Sequence, residues 1–301
     1  MGAARFLGGL VRRVDAARIR VIVNTGDDEE FYGLHVSPDL DTIVYNLAEV
    51  ANAEHGWGLA GESFNVIGAL ARFYGKPWFS LGDRDLATNI YRTNELRAGR
   101  KLSDITAKIA ESFGVRATVM PMSNDRVRTF VKVRGRPSLP FQEYFVRRRA
   151  RGVIEGIDLR GLETARPLPS AIRAIRDSAA VILAPSNPFV SLGPILGLPG
   201  TTTALQRART RVAAISPIVG GRTIKGPADK MLRGLGHEVS ALGVARLYQN
   251  FVGVFVLDNA DRRYIGPIEK LGMRVVATDT IMANPSRAAK LADVVMRALE
   301  V

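Results

Sequence analysis

Residues 252–261 read V-G-V-F-V-L-D-N-A-D, a short apolar run that ends abruptly in polar residues. A run this brief and this rich in β-branched residues is typical of a strand buried on both faces of a parallel sheet. The same pattern recurs at residues 19–23, 115–120, 181–184, 212–215 and 274–277. Amphipathic helices are predicted between these runs, for instance over residues 42–54 and 286–299. The sequence therefore predicts an α/β fold with a doubly wound, mostly parallel, Rossmann-like sheet.

The middle of the chain departs from this alternation. Val127, Thr129, Val131 and Val133 alternate as a half-buried strand would, and R-G-R-P then breaks the pattern before an aromatic and basic stretch. We expect a smaller α+β subdomain inserted at about residues 101–165. Residues 1–100 and 166–301 would form the nucleotide-binding core.

Composition restricts the class of protein. With 47% apolar residues the chain can form a sizeable core, and the absence of cysteine excludes disulfides, thiolate nucleophiles and Cys-ligated zinc. No run approaches the about 18 to 20 apolar residues of a membrane span, and no signal-peptide pattern is visible, so we expect a cytoplasmic protein without a membrane partner.

The charge balance favours anionic ligands. The formal net charge is +13, and the basic run at residues 147–151 superficially resembles a nucleic-acid-binding patch. The other basic residues are scattered, and GC-biased coding is enough to explain the excess of arginine. We therefore expect no nucleic-acid partner.

Two acidic loops are candidates for one composite site. S-P-D-L-D-T at residues 37–42 places Asp39 and Asp41 two positions apart, and G-D-R-D follows at residues 82–85. If the first segment is extended, both carboxylates project to one side, where they would share Mg²⁺ with substrate phosphate oxygens. The alternative is a solvated turn whose acids only start a helix, and the residues alone leave both interpretations open.

Polar loops after the other strands offer further ligands. The rigid loop at residues 184–200 presents Ser186, Asn187, Ser191 and the amides near Gly193 to a phosphate or a guanine edge, unless it only packs. Lys230 follows a helix start, G-P-A-D-K, that suits an anion but is also a common helix opening.

Other polar residues carry weaker signals. Asn24 begins N-T-G-D-D, which would bind a ribose, a base or an ion, or form a tight turn. His35 lies near Ser37 and would reach substrate, whereas His55 and His237 are expected to be surface or packing residues. The sequence contains no G-x-S-x-G, complete Walker A or complete G-x-G-x-x-G motif, so a serine-hydrolase triad is unsupported.

Taken in order, the loop motifs resemble those of the 2-phospho-L-lactate transferase family. The matching motifs are N-T-G-D-D, S-P-D-L-D-T, W-G, L-G-D-R-D-L-A-T, P-M-S-N-D, G-I-D-L-R-G, P-S-N-P-x-x-S-x-G-P, S-P-I-V-G-G, K-G-P-A-D-K and G-V-A-x-x-Y. The resemblance implies transfer of a 2-phospholactyl or phosphoenolpyruvyl group from a guanosine diphospho donor to the ribityl hydroxyl of the deazaflavin Fo. GMP would be released, Mg²⁺ would be the cofactor, and the product would be a late intermediate of coenzyme F-420. A homodimer is also implied.

The same resemblance implies roles for individual residues. Asp39 and Asp41 would contact the metal and the deazaflavin, and Asp41 would accept the attacking proton. Arg84 would neutralise phosphate. The deazaflavin site would further include Ser80, Asp83, Asp85 and His35. The nucleotide and its phosphates would be bound by Asn24, Ser186, Asn187, Ser191, Gly193 and Lys230.

The start of the chain departs from the family pattern. Members of the family usually open with a strand that leads into a G-G-T-G-G-type loop, whereas M-G-A-A-R-F-L-G-G-L resembles the end of that loop and its helix. We expect the first strand to be missing, through a misassigned start codon or a genuine loss. If the residues are truly absent, transfer would be weak or absent until an upstream extension is restored.

A non-enzymatic nucleotide-sugar-binding regulator of the same fold is the alternative function. Asp41→Asn would abolish transfer by an enzyme but leave the nucleotide affinity of a regulator nearly intact. The sequence does not distinguish a lactate, enolpyruvate or glycerate donor.

Overall fold

The structure is a computed structural model that describes residues 2–52 and 56–301. The helices are α1 (Gly2–Leu10), α2 (Pro38–Leu47), α3 (Asn65–Tyr74), α4 (Asp83–Arg97), α5 (Leu102–Ser112), α6 (Pro169–Asp177), α7 (Gly193–Gly197), α8 (Thr201–Arg207), α9 (Ala228–Gly234), α10 (Ala241–Tyr248), α11 (Ile265–Glu269) and α12 (Pro285–Leu299). Within the described ranges no helix is both long and apolar enough to cross a membrane.

The strands are β1 (Arg20–Val23), β2 (Glu29–Phe31), β3 (Leu34–Val36), β4 (Thr118–Pro121), β5 (Arg128–Val133), β6 (Leu139–Pro140), β7 (Ile154–Arg160), β8 (Val181–Leu183), β9 (Val212–Ile215), β10 (Ile218–Val219), β11 (Arg222–Thr223), β12 (Val254–Asp258) and β13 (Arg274–Thr278). Strands β13, β12, β9 and β8 form a parallel sheet in that order, and β1 pairs in parallel with β4. These are the six predicted strands, so the prediction of a parallel α/β fold is confirmed.

The four-stranded sheet is buried on both faces. Val254 and Val256 belong to one apolar cluster, which includes residues of α1, α2, α5 and α12. Phe255 and Leu257, which point the other way, belong to a second cluster with residues of α8 and α10. Because side chains alternate along a strand, continuous apolar runs such as 252–257 require helices on both faces of the sheet.

Helix α1 packs closely against α12. A Cβ atom added at Gly9 would lie 2.3 Å from the carbonyl carbon of Ala288, whereas a Cβ at the neighbouring Gly8 would meet nothing within 4 Å. The absence of a side chain at Gly9 therefore sets how near the two helices approach.

A cavity of about 1130 Å³ separates the two parallel sheets. It is lined by residues 19–24, which include β1, by residues 177–184, which include β8, and by Phe6, Leu7 and Leu10 of α1. In the described part of the chain the ladders of β1–β4 and β8–β9 are not hydrogen-bonded to each other, and α1 is the first element. The cavity therefore lies between the facing edges of two parallel strands.

Two predicted boundaries differ from the structure. Helix α2 begins at Pro38, four residues before the predicted start at residue 42, because proline is favoured in the first turn of a helix. It ends at Leu47, seven residues before the predicted end at residue 54, and Glu49 just beyond it takes a left-handed φ of 59°. Glu54 and His55 lie outside the described residues.

The antiparallel sheet β6-β5-β7 forms only from Arg128 onward. Strand β4 pairs with β1, so residues near 118–121 lie with the parallel strands and not with the antiparallel sheet. A separate apolar cluster that includes Val131, Tyr144 and Ile154 supports the antiparallel sheet. The division into domains stays a prediction.

Candidate active site

A cavity of about 400 Å³ lies where several strands end. Its walls come from the loops after β1, β8, β9 and β13, and from the first turn of α2. The carboxyl ends of parallel strands meet at one edge of a sheet, which explains why loops far apart in sequence converge here.

Asp27 and Asp39 form a carboxylate pair at this cavity. Asn24 donates from Nδ2 to Asp39 Oδ2 over 3.0 Å and to the Val190 carbonyl over 3.2 Å, which fixes Asp39. Asp27 is only 6% exposed, and its Oδ1 atom has no hydrogen-bond partner within the described residues. Burial raises the pKa of Asp27 well above its usual range, and the neighbouring Asp39 carboxylate raises it further. Desolvation likewise raises the pKa of Asp39.

The pair fits a hard divalent cation. In the part of the chain described, no three or more His, Asp or Glu side chains are gathered as a complete metal site. Mg²⁺ typically takes one or two carboxylates and completes its shell with water and substrate phosphate oxygens. Asp27 and Asp39 would supply the carboxylates. Sequence reasoning did not single out Asp27. Its position in N-T-G-D-D, just after a strand, was the available signal.

Asp41 does not share this position with Asp39. Arg92 of α4, only 1% exposed, donates from Nη1 to Asp41 Oδ2 over 3.2 Å and from Nη2 to Asp41 Oδ1. The predicted shared cation assumed an extended segment, but the segment is the first turn of α2, where residues two apart point about 200° from each other around the axis. Both Asp41 oxygens therefore face Arg92.

This ion pair weakens Asp41→Asn as a test of function. The substitution would leave the buried Arg92 guanidinium without its partner, and loss of one member of a buried pair typically costs about 3–5 kcal/mol. Lost transfer in this variant would reflect lost stability as readily as lost chemistry.

The two acidic loops do meet at the cavity. Asp85 lines it together with Asp39 and Asp41, and Tyr45 of α2 donates to Asp85 Oδ1 over 2.8 Å. Burial raises the pKa of Asp85 to about 7, and the Asp41 carboxylate adds to this rise.

Asp83 and Arg84 take a different role from the one implied. Asp83 accepts hydrogen bonds from Ser63 Oγ at 2.6 Å and from the Asn65 and Val66 amides at 3.0 Å, so it caps the start of α3. Glu62 in turn accepts from the Arg84 and Asp85 amides and caps α4. The Arg84 guanidinium donates to the Ala60 carbonyl at 2.9 Å, and neither Asp83 nor Arg84 lines the cavity.

Four further predicted ligands also lie outside the cavity lining. His35 Nε2 lies 2.9 Å from Asp28 Oδ2, which Ser37 Oγ also contacts. Lys230 donates to the Ala150 carbonyl at 3.0 Å, and Gly193 begins α7. Asn24 acts one step removed from the cavity, by holding Asp39.

Other predicted residues do line the cavity, and two cations join them. Ser80, Ser186, Asn187 and Ser191 are in its walls. The cations that line it are Arg5, on α1, and Lys225, after β11, not the predicted Arg84 and Lys230. The motif K-G-P-A-D-K contains Lys225 as well as the predicted Lys230, so the signal for Lys225 was present in the sequence.

Five aromatic side chains line the cavity and are together called the aromatic wall: Trp57, Trp78, Phe79, Phe141 and Phe145. Phe79 stacks on Phe31 with ring centroids 4.0 Å apart, and the Arg147 guanidinium lies 6.0 Å from the Trp78 ring centroid. Aromatic side chains that line a cavity suit a planar aromatic ligand.

The chain matches a family profile described as 2-phospho-L-lactate transferase CofD over residues 1–296. It is 35% identical to a 2-phospho-L-lactate transferase of Methanosarcina mazei, over 99% of this chain and 97% of that protein. A phosphoenolpyruvate transferase of Streptomyces griseus is 40% identical, over 97% and 93% of the two chains.

A solved structure of a UPF0052 family member from Bacillus halodurans superposes with a TM-score of 0.65 at 15% identity, covering 98% of this chain and 96% of that one. At this identity the likeness concerns the fold alone, and it agrees with the mixed α/β architecture.

Proposed function

The chain belongs to the 2-phospho-L-lactate transferase family, and from this premise we propose that it transfers a 2-phospholactyl or phosphoenolpyruvyl group to the ribityl hydroxyl of the deazaflavin Fo. The donor would be a guanosine diphospho compound, and GMP would leave. Family membership and the named relatives support a transferase role in coenzyme F-420 biosynthesis. The acceptor, the donor and the leaving group are parts of the proposal.

One observation carries the proposal: the same cavity contains a buried carboxylate pair and an aromatic wall. A transferase that joins a diphosphate donor to a flavin-like acceptor needs one region for metal-bound phosphate and one for a planar ring. Asp27 and Asp39 would hold Mg²⁺, which when bound would offset charge on the diphosphate and on the leaving GMP. The aromatic wall would stack with the deazaflavin ring, and Ser80 would border it.

The remaining lining residues fit the donor. Arg5 and Lys225 would bind phosphate oxygens, because they are the lining side chains with permanent positive charge. Ser186, Asn187 and Ser191 would donate or accept hydrogen bonds at the nucleotide. The ribityl oxygen would then attack the phosphorus that carries the lactyl or enolpyruvyl group, while the bond from that phosphorus to GMP breaks. Holding both reactants in line is the main contribution of such a site.

Further properties belong to the same proposal. The protein would depend on Mg²⁺, form a homodimer, lie in the cytoplasm and have no nucleic-acid or membrane partner. Its fold would be a Rossmann-like core with an inserted subdomain. None of the steps above depends on the assembly state.

The proposal is tested by incubating the protein with Fo, Mg²⁺ and, separately, the guanosine diphospho derivatives of lactate, enolpyruvate and glycerate. We expect GMP and a phosphodiester of Fo in equal amounts from at least one donor, measured by mass spectrometry under single-turnover conditions so that weak transfer is detected. Omission of Mg²⁺ should prevent both products.

The controls separate the alternatives. Asp39→Asn should lose product formation while Fo still binds. Donor binding without GMP release would favour the nucleotide-binding regulator, and failure with all three donors, even after an upstream extension is added, would contradict the proposed transfer.

A further inference from the structure

The cavity is lined by three carboxyl groups from the acidic loops, those of Asp39, Asp41 and Asp85. Asp39 is the proposed metal ligand together with Asp27, which leaves Asp41 and Asp85 as candidates for taking a proton. Both oxygens of Asp41 are engaged by Arg92 in a buried pair. Protonation of Asp41 would cancel its charge and leave the guanidinium of Arg92 unpaired beneath the cavity, which is costly.

Asp85 is arranged differently. It is 8% exposed and lines the cavity, and Tyr45 is the one donor to its carboxylate among the residues described, through Oδ1. A structural role for this carboxylate would be to cap α4, whose first turn contains it. That role is already filled by Glu62, which accepts from the Arg84 amide at 2.9 Å and from the Asp85 amide at 2.8 Å. The Asp85 carboxylate is therefore buried at the cavity without a capping function.

We propose that Asp85 is the proton acceptor for the attacking hydroxyl, with Tyr45 as the residue that positions it and the Asp41–Arg92 pair as a fixed ionic support. This assignment rests on the proposed transfer. As the ribityl oxygen bonds to the donor phosphorus, its proton passes to an Asp85 oxygen. The bond from phosphorus to the GMP oxygen breaks, and its electron pair leaves with GMP. The proton then returns to water.

The electrostatic surroundings suit this task. Burial raises the pKa of Asp85 to about 7, Asp41 and Glu62 raise it as neighbouring anions, and Tyr45 and Arg92 lower it. A general base is most effective when its pKa lies near the operating pH. Asp85 must be deprotonated to act, so kcat/KM should fall as the pH drops below the pKa, by about tenfold per unit for a single essential base.

The test compares pH profiles of the full-length protein with those of Asp85→Asn and Tyr45→Phe. For the unsubstituted protein we expect a break at about pH 7, or below it once a divalent cation is bound nearby. Asp85→Asn should lower kcat by about 10²–10⁴-fold and abolish the break, while Fo affinity measured by deazaflavin fluorescence is retained.

Tyr45→Phe provides a readout that a purely structural role would not change. Loss of the donated hydrogen bond should raise the pKa of Asp85, so the break moves to higher pH and the rate recovers there. Asp104→Asn, an exposed first-turn acid of α5, is the matched control and should leave the profile unchanged.

The outcomes separate this assignment from the proposed function. If the unsubstituted protein forms product and Asp85→Asn keeps its rate and its break, the assignment to Asp85 is wrong and the transfer stands. An unchanged break in Tyr45→Phe would also contradict it, even if Asp85→Asn failed to fold. If the unsubstituted protein forms no product, the proposed function itself fails and the assignment fails with it.

Discussion

Asp27 shows at the level of one residue how the site is built at the expense of stability. Its carboxylate is nearly buried, lacks a partner on Oδ1 and lies beside a second carboxylate, Asp39. Buried polar groups without partners are destabilising, and like charges add to the cost. A bound cation would offset this cost, so the presence of such a pair in a cavity points to function.

Asp27→Asn is expected to stabilise the metal-free protein and to remove its response to metal. The neutral amide ends the repulsion with Asp39, so Tm should rise by a few degrees, at about 2–4 °C per kcal/mol for a domain of this size class. Mg²⁺ added with GDP should raise Tm of the unsubstituted protein by mass action and leave that of the variant nearly unchanged. Differential scanning fluorimetry measures both effects.

The control for Asp27→Asn is again Asp104→Asn, which should keep the metal response. Equal Mg²⁺-dependent shifts in the unsubstituted protein and Asp27→Asn would exclude Asp27 as a ligand.

The position of helix α1 against α12 depends on the absence of a side chain at Gly9. Gly8 and Gly9 are adjacent in the same helix, yet only Gly9 faces the backbone of α12 at contact distance. The helix carries Arg5 to the cavity and presents Phe6 and Leu7 to the core, so a shift of α1 would disturb the site and the core together.

Gly9→Ala and Gly8→Ala should therefore have opposite effects. Alanine at position 9 would force α1 away from α12, and overpacking of this kind costs about 1–3 kcal/mol. Alanine at position 8 meets open space and should stabilise the helix by about 0.5–1 kcal/mol. Urea denaturation monitored by circular dichroism gives both values. Similar stabilities for the two variants would contradict this packing.

Elements were predictable where the signal is local. The six parallel strands follow from short apolar runs such as 212–215, because burial on both faces leaves little choice of residue. The start of α2 was also predictable, since Pro38 suits the first helical position. The predicted start at Thr42 was wrong because it left the acidic loop outside the helix.

Tertiary partners were not predictable in the same way. Arg92 meets Asp41 across 51 residues. Asp83 caps α3, and Glu62 caps α4, each across about 20 residues. Nothing in the local spacing of these residues distinguishes a ligand from a cap or an ion pair. The sequence therefore located the loops of the site, while the geometry decided which of their side chains reach the cavity.

At the scale of the whole molecule, the cavity between β1 and β8 is the main irregularity. A pocket of about 1130 Å³, partly open to solvent, lies here between two strand edges that are not hydrogen-bonded to each other among the described residues. Such edges carry unpaired amides and carbonyls that accept another strand. A strand leading into Gly2 would join the two parallel sheets and end beside the candidate active site, which Gly2 also lines.

An upstream extension is therefore expected to raise both stability and transfer. The extension would be an apolar, β-branched stretch of about five or six residues, the usual strand length, followed by a glycine-rich turn before Gly2. Tm and the single-turnover rate should both increase because the stretch pairs with β1 and β8. A control extension of equal length with serine and aspartate in place of the apolar residues should change neither. Equal activity and Tm with and without the apolar extension would refute this.

The candidate active-site cavity draws its walls from positions as distant as Gly2 and Met282. A molecule bound there would contact both ends of the polypeptide and its middle. Local unfolding of any one of these segments would then require the bound molecule to dissociate first. Proteases act on locally unfolded segments. The lifetime of this protein in a cell would then follow the supply of its proposed substrates.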